Sequence, residues 1–276
     1  MKFQQRTVLI TGGTGGMGLE WARELLKRGN TVIVTGRDRE KLDATERSLP
    51  GVHTLRSDAS DPQAIGSLRQ AVLARFPALD TVINNAGIMR NLRFGTAQGL
   101  EEVTREIEVN LSGPVRMIDQ FLPHLLTRPG ALIVNVSSGL AFIPFTAAPV
   151  YSATKAAIHS FTQSLRVQLR GTGVTIVELA PPGVETPLFR GEFAAETRGQ
   201  KAMDPKELVR RAISGIEAGK LEIRPGLSNV LNVMSRIAPR FMLNQMAKMS
   251  NGAASRRAYP PAHARRARSG HRAAGA

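Results

Sequence analysis

Thr11-Gly12-Gly13-Thr14-Gly15-Gly16-Met17-Gly18 follows the apolar stretch Val8-Leu9-Ile10 and opens an amphipathic stretch, Met17–Gly29. Gly12, Gly16 and Gly18 form a T-G-x-x-x-G-x-G pattern where a strand hands over to a helix. Glycines let the backbone turn tightly and approach a pyrophosphate, whose charge is favoured at a helix N-terminus. By itself such a loop reads equally as a flexible Gly-rich connection. At the first turn of a β–α–β unit it points to dinucleotide binding, with Gly12, Thr14, Gly16, Met17 and Gly18 around the phosphates.

The alternation of short apolar runs and amphipathic stretches continues outward from this loop. Residues 7–11, 31–36, 52–57, 79–84, 131–137 and 174–179 read as buried strands, being short, β-branched and bounded by Gly, Pro, Asp or Asn. Residues 17–29, 39–49, 62–76, 100–126 and 152–170 read as helices, with Asp61-Pro62 a strong helix start. The expected fold is α/β: a single Rossmann-type doubly wound parallel sheet of about seven strands, with helices on both faces. After Pro181-Pro182-Gly183 the rhythm breaks, and residues 184–203 read as a mobile loop or short helical lid. Asp204-Pro205 opens another helix to about Glu217, and a short strand is expected near 221–224. The expected domain is therefore 1–226, followed by an amphipathic helical extension, 227–250, interrupted by Pro239. Residues 251–276, rich in Ala, Arg, Gly and Pro, read as a disordered basic tail.

Composition narrows the function classes. The chain has 276 residues, no cysteine and a net charge of +15. Without cysteine there is no disulfide, thiolate zinc site, iron–sulfur cluster or cysteine nucleophile. His53, His124 and His159 are isolated in sequence, so no metal site is expected. No apolar run reaches signal-peptide or membrane-span length, which makes a cytoplasmic protein the expectation. The positive charge raises nucleic acid or an anionic membrane as partners. The tail lacks the interleaved aromatics of a strand-stacking platform, so no nucleic acid is expected. Residues 227–249 could lie on a membrane with Arg236, Arg240 and Lys248 at the rim, although packing on the chain's own domain or a partner subunit is the favoured reading.

Further islands fall at the C-terminal ends of successive strands. The second strand ends Thr35-Gly36-Arg37, where an NAD-selective site would carry an acid for the ribose hydroxyls. Arg37 offers instead a charged fork suited to a 2′-phosphate, which favours NADP(H). Asp38 beside it keeps NAD(H) open. Asn84-Asn85-Ala86-Gly87 closes the fourth strand, Asn110 lies in the next long helix, and Ser138 follows the fifth strand. Tyr151 and Lys155, four apart, share one face of the following helix. A phenol near pKa ~10 is a poor base at neutral pH. A nearby ammonium and a helix N-terminus are expected to lower it. Ser138 can then bond a substrate carbonyl or hydroxyl, and the set suffices for hydride transfer coupled to proton transfer.

With these residues in place the sequence resembles the short-chain dehydrogenase/reductase family over roughly residues 7–217. The resemblance implies that Tyr151 is the general acid/base and that Lys155 holds the nicotinamide ribose while tuning Tyr151. It implies that Ser138 orients the substrate and that Asn110 anchors a proton-relay water. It also places Asp58 at the adenine ring, Asn84, Ala86 and Gly87 along the cofactor, Pro182, Gly183 and Val184 beside it, and Thr186 at the nicotinamide carboxamide. Homodimers or homotetramers built through the 100–126 and 152–170 helices are implied in the same way. Asn85–Asn91, Ser137–Phe142 and the 223–226 and 235–239 segments resemble the DltE-like subgroup, whose name carries no substrate.

The residues expected to face the substrate, Leu140, Phe142, Ile143, Pro144, Phe145, Val184, Leu188 and Phe189, include no Arg or Lys. A neutral or hydrophobic carbonyl or secondary alcohol is the expected small-molecule substrate. A serine hydrolase is disfavoured, because Ser138 lacks a G-x-S-x-G elbow. The rival reading is a non-catalytic NADP(H)-binding sensor of the same fold, against which the intact Asn110, Ser138, Tyr151 and Lys155 set argues.

Overall fold

Strand residues alternate between two apolar layers. Val8 and Ile10 pack with Trp21 and Leu25 on one side, whereas Leu9 packs with Phe121 and Val82 on the other. The computed structural model describes residues 2–94 and 99–254, the last four by their backbone alone. Its sheet has seven strands: β1 (Thr7–Ile10), β2 (Thr31–Gly36), β3 (Val52–Arg56), β4 (Thr81–Asn84), β5 (Leu132–Val136), β6 (Thr175–Leu179) and β7 (Glu222–Ile223). They lie in the order β3-β2-β1-β4-β5-β6-β7, with every neighbouring pair parallel. Helices α1 (Gly16–Lys27) and α8 (Pro205–Glu217) supply one layer, and α2 (Arg39–Ser48) packs against β2 and β3. Helices α3 (Pro62–Arg75), α5 (Gly113–Leu125) and α6 (Pro149–Gln168) supply the other. The strand order reverses between β1 and β4, so a crevice opens beyond their C-terminal ends, the usual ligand position in such sheets.

Three boundaries differ from the sequence expectation. The single helix expected over 100–126 is α4 (Leu100–Ile107), a π-helical turn at Glu108–Ser112, and then α5. Pro114 has no N–H to donate to the Asn110 carbonyl, so one rung of the α ladder is missing at this point. Helix α6 starts at Pro149, three residues before the expected Ser152, which puts Tyr151 in its first turn. Proline suits that place because the first-turn N–H groups have no intrahelical partner. Finally, α9 (Leu227–Ile237) and α10 (Pro239–Ala254) replace the extension expected to end at Ser250. Of the expected disordered tail, residues 255–276 lie outside the described residues.

The expected lid over 184–203 is closed at its base. Met203 N–H donates to Gly183 O (2.8 Å) and Glu185 N–H to Met203 O (2.9 Å). Within it lie the short helix α7 (Pro187–Arg190) and Phe193, which is fully buried against Phe145. Leu231 of α9 and Met246 of α10 are buried in the same cluster as Phe193 and Tyr151. Residues 227–249 thus pack on their own domain through one face. No helix among the described residues is long and apolar enough to cross a membrane.

One polar chain crosses the apolar layers and ties the sheet to α6. Asn84 Nδ2 donates to Asn135 Oδ1 (2.9 Å), and Asn135 Nδ2 donates to Thr162 Oγ1 (3.0 Å), all three residues being buried. Asn135→Leu strands the Asn84 amide without its acceptor, and such a loss costs about 1–3 kcal/mol. Urea unfolding should show stability falling by that amount; an unchanged midpoint would remove this bridge from the account.

Candidate active site

A cleft of about 720 Å³ opens over the C-terminal ends of β4, β5 and β6. Tyr151 and Lys155 lie in its wall from α6, Ser138 follows β5, and Gly87 follows β4. Lys155 is buried, donates to the Val136 carbonyl (2.9 Å), and sits 5.5 Å from the centre of the Tyr151 ring. The Ser138 hydroxyl bonds to the Tyr151 phenol and accepts from Leu140 N–H (3.1 Å). A Cβ on Gly87 would sit 3.3 Å from Asn110 Oδ1 and 3.7 Å from Lys155 Nζ, so these groups converge on a position kept free of side chain. Asn110 is clamped by three bonds, from Ile88 N–H (2.9 Å), to Ile88 O (2.9 Å) and to Thr154 Oγ1 (3.2 Å). The four residues singled out in the sequence are brought together.

The electrostatics differ from expectation at Tyr151. Burial pushes its phenol up to about 12, and the nearby Glu106 carboxyl pushes the same way, against the Ser138 hydrogen bond that pulls it down. Burial also pulls the Lys155 ammonium down to about 8. The expected lowering of Tyr151 by its lysine fails in the chain by itself, because loss of solvent outweighs the neighbours.

Glu106 escaped the sequence reading. It is fully buried on α4, four residues before Asn110, and that spacing toward one face was the available signal. Its carboxyl accepts from the Arg90 N–H (2.8 Å) and the Tyr151 N–H, and burial pushes it up to about 7. Asn85 was also passed over. Its Nδ2 donates to Thr11 O (3.0 Å) and Gly12 O (3.2 Å), while Asn84 beside it points into the sheet toward Asn135. Of the two asparagines, Asn85 therefore holds the glycine loop and lines the cleft, and the Asn84 side chain does not.

The glycine loop has the shape an anion needs. Gly12 takes φ +65°, and a Cβ on Gly18 would fall 2.2 Å from the Gly12 carbonyl, so only glycine lets the loop and α1 approach this closely. Helix α1 begins with no side chain capping it and no acid in its first turn, which leaves its N–H groups to face a phosphate. Thr14 lies against Gly36 at the end of β2, where exposed Arg37 follows. Arg56, not singled out in the sequence, donates to the Arg37 carbonyl (3.1 Å) and brings a second guanidinium there. The Asp58 carboxyl is pushed up by burial, but the Ser60 hydroxyl and N–H, with Arg37 and Arg105, bring it below the usual range. Met17, Pro182, Gly183, Val184 and Thr186 line the cleft on the side of the glycine loop, and Gly12, Ala86 and Gly16 pack behind, with Gly12 against Ala86 and Gly16 against Thr186.

Of the residues expected to face a substrate, Leu140, Phe145, Val184, Leu188 and Phe189 line the cleft. Ile143 is core, Pro144 is exposed, and Phe142 packs edge-on against His159. His159, isolated in sequence, is paired with Glu178 (2.8 Å), which also accepts from Ser137. The α10 residues Met242, Gln245, Met246 and Met249 complete the wall, as does Lys201 at the end of the lid, with Asp204 and Glu207. Among the described residues no group of three or more His, Asp or Glu is placed to hold a metal ion.

Residues 6–197 match the family model described as short chain dehydrogenase. The uncharacterized oxidoreductase DltE of Bacillus subtilis is 42% identical over 226 residues, covering 81% of this chain and 89% of that protein. Among solved structures, a short chain dehydrogenase from Burkholderia cenocepacia in complex with NADP superposes with a TM-score of 0.77 at 22% identity, covering 89% of this chain and 99% of that one. A 3-ketoacyl-(acyl-carrier-protein) reductase from Brucella melitensis complexed with NADH gives 0.72 at 25% identity, covering 82% and 100%.

The raised Glu106 value has a testable sign. A carboxyl in the unfolded chain loses its proton near 4.5, whereas in the folded chain Glu106 keeps it to about 7. The folded state thus binds more protons across that window, and the contribution of Glu106 to stability declines as pH rises through it. Melting temperatures measured from pH 5 to pH 8 should show the parent losing ground to Glu106→Gln as pH rises; a constant gap between the two would refute the raised value.

Proposed function

The chain belongs to the short-chain dehydrogenase family, and from that premise we propose that it is an NADP(H)-dependent oxidoreductase acting on a neutral or hydrophobic carbonyl or secondary alcohol. The observation that carries the reading is that Tyr151, Ser138, Lys155 and Gly87 line one mostly apolar cleft, with Lys155 close beside the open position at Gly87. When bound, the nicotinamide cofactor supplies or accepts the hydride.

The chain's own residues do the rest. The uncapped N-terminus of α1 and the Gly12–Gly18 loop hold the pyrophosphate, with Asn85 fixing the loop. Arg37 and Arg56 meet the 2′-phosphate, which is the ground for NADP(H) over NAD(H). Asp58 serves the adenine end, and Gly87, Pro182, Gly183, Val184 and Thr186 the nicotinamide end. Lys155 bonds the ribose from its place on the Val136 carbonyl. Ser138 orients the substrate oxygen, and Tyr151 gives it a proton. Burial keeps the phenol protonated at neutral pH, the form that donates to a carbonyl oxygen. Asn110 keeps the Ile88 backbone in place behind this set. The cleft wall supports an uncharged substrate. It is mostly apolar, holds no arginine, and its lysine besides Lys155 comes with Asp204 and Glu207.

Three measurements check this reading. Tyr151→Phe should retain NADPH binding by fluorescence while carbonyl reduction falls about 10²–10⁴-fold; turnover at the parent rate would remove Tyr151 from the chemistry. Absence of turnover by the parent over a panel of ketones and aldehydes, with NADPH bound, would favour the sensor reading. Arg37→Ser should weaken NADPH about tenfold to hundredfold, the size of a charged hydrogen bond, and leave NADH almost unchanged. Equal losses for both would sink the assignment of Arg37.

A further inference from the structure

Helices α9 and α10 have two faces. The inner one buries Ser228, Leu231, Asn232 and Met246. The outer one leaves Leu227, Val230, Val233 and Ile237 in the open, at spacings of three and four that make one stripe, and Phe241 near the start of α10 is exposed as well. Ile237 is 71% exposed, Leu227 59% and Phe241 56%, far beyond what a side chain packed against its own domain shows.

The charged residues that α9 and α10 themselves carry have one sign. Arg236, Arg240 and Lys248 are exposed on the same two helices. After Glu222 the chain has no acid at all, and six further arginines follow Ser250. The last acids before the stripe are already engaged, Glu217 with Arg28 and Glu222 with Arg166 and Arg224.

We propose that this face docks on an anionic lipid surface. A two-fold contact between copies would set the stripe against itself and bring Arg236, Arg240 and Lys248 toward their own images, a like-charge approach that opposes it. An anionic bilayer meets both demands. Its acyl boundary takes the apolar side chains, and its headgroup phosphates take the cations, each adding to affinity. The docked helices also form the cleft wall, through Leu231, Met242 and Met246 inside and Leu227 and Met249 at the rim. The mouth of the cleft therefore lies beside the bound surface, where a lipophilic carbonyl compound would arrive. Docking is read without turnover, so its failure leaves the hydride-transfer reading untouched.

The test is co-sedimentation of the full chain with phosphatidylglycerol–phosphatidylcholine vesicles and with phosphatidylcholine alone, at low and high salt. The mixed vesicles should carry the protein down, phosphatidylcholine should retain little, and high salt should weaken the binding. The double variant Ile237→Asn/Phe241→Asn, with the melting temperature and NADPH binding of the parent, should lose about tenfold or more in vesicle affinity. Arg236→Gln/Arg240→Gln should lose affinity for the mixed vesicles only. No binding by the parent overturns the proposal. Equal affinity in the Ile237/Phe241 variant also overturns it, since adsorption would then come from the basic residues alone. So does a parent dimer, seen by light scattering, that this variant converts to a monomer.

Discussion

The Lys155 ammonium donates to the Val136 carbonyl at 2.9 Å, in a place from which water is almost excluded. An isolated buried ammonium is costly, and the surrounding structure answers that demand. The carbonyl is free because Val136 ends β5 and the chain turns away at Ser138. The space beside the ammonium stays open because residue 87 is glycine and because Asn110 is drawn back onto Ile88. Asn110 lies in the π-helical turn, just ahead of Pro114. The Asn84–Asn135–Thr162 bridge then fixes the height of α6 against the sheet, and with it the positions of Tyr151 and Lys155.

Burial moves the two titratable groups of α6 in opposite directions, the phenol up and the ammonium down. Each becomes harder to ionise, and each therefore spends more of its time neutral than in water. Glu106 adds to this from beneath, since its carboxyl bonds the Tyr151 N–H and disfavours a phenolate nearby. A site built this way holds its proton until a substrate oxygen needs it. A general acid or base works best with a pKa near the working pH, so in the chain by itself burial makes Tyr151 both a weaker acid and a harder phenolate to form.

The fold was legible because its signals are local. Val8-Leu9-Ile10, Thr31–Gly36 and their counterparts are short β-branched runs, and Asp61-Pro62 and Asp204-Pro205 mark helix starts that the structure reproduces. The grouping of Ser138, Tyr151 and Lys155 was legible because each follows directly from a strand end or a helical spacing. What escaped depends on contacts distant in sequence. Asn84 and Asn85 are adjacent and chemically identical, and only the pleat decides that one turns to Asn135 and the other to Gly12. Glu106 reads as another charge in Glu101-Glu102…Arg105-Glu106 until the Arg90 loop is folded over it. Arg56 lies nineteen residues from Arg37 and reaches it only through β2–β3 pairing. The α10 wall of the cleft has no local signal, because the Met spacing that lines the cleft is also that of an ordinary amphipathic helix. Pro114 was the exception, a local cue inside the long helix that went unused.

The distribution of polar burial explains why these misses fall where they do. Both apolar layers of the sheet are filled by aliphatic and aromatic side chains, and their pattern is readable because burial alone dictates it. The C-terminal edge instead collects Asn84, Glu106, Asn110, Ser138 and Lys155, all buried and all polar. Three side-chain atoms there, Asn84 Oδ1, Asn85 Oδ1 and Glu106 Oε2, have no hydrogen-bond partner among the described residues. Buried groups of this kind lower stability unless something bonds them, so this edge is less stable than the layers beneath it need be. The charge follows the same division. Residues 1–219 carry only +5 of the +15, and most of the remainder lies beyond Glu222, where no acid balances it. The polar edge and the unbalanced basic segment meet at α9 and α10, which form a wall of the cleft with one face and expose apolar and cationic side chains with the other. Of the unbonded atoms, only that of Asn85 belongs to a residue lining the cleft, where a ligand can meet it, and the unbalanced charge is explained if its partner is a charged surface.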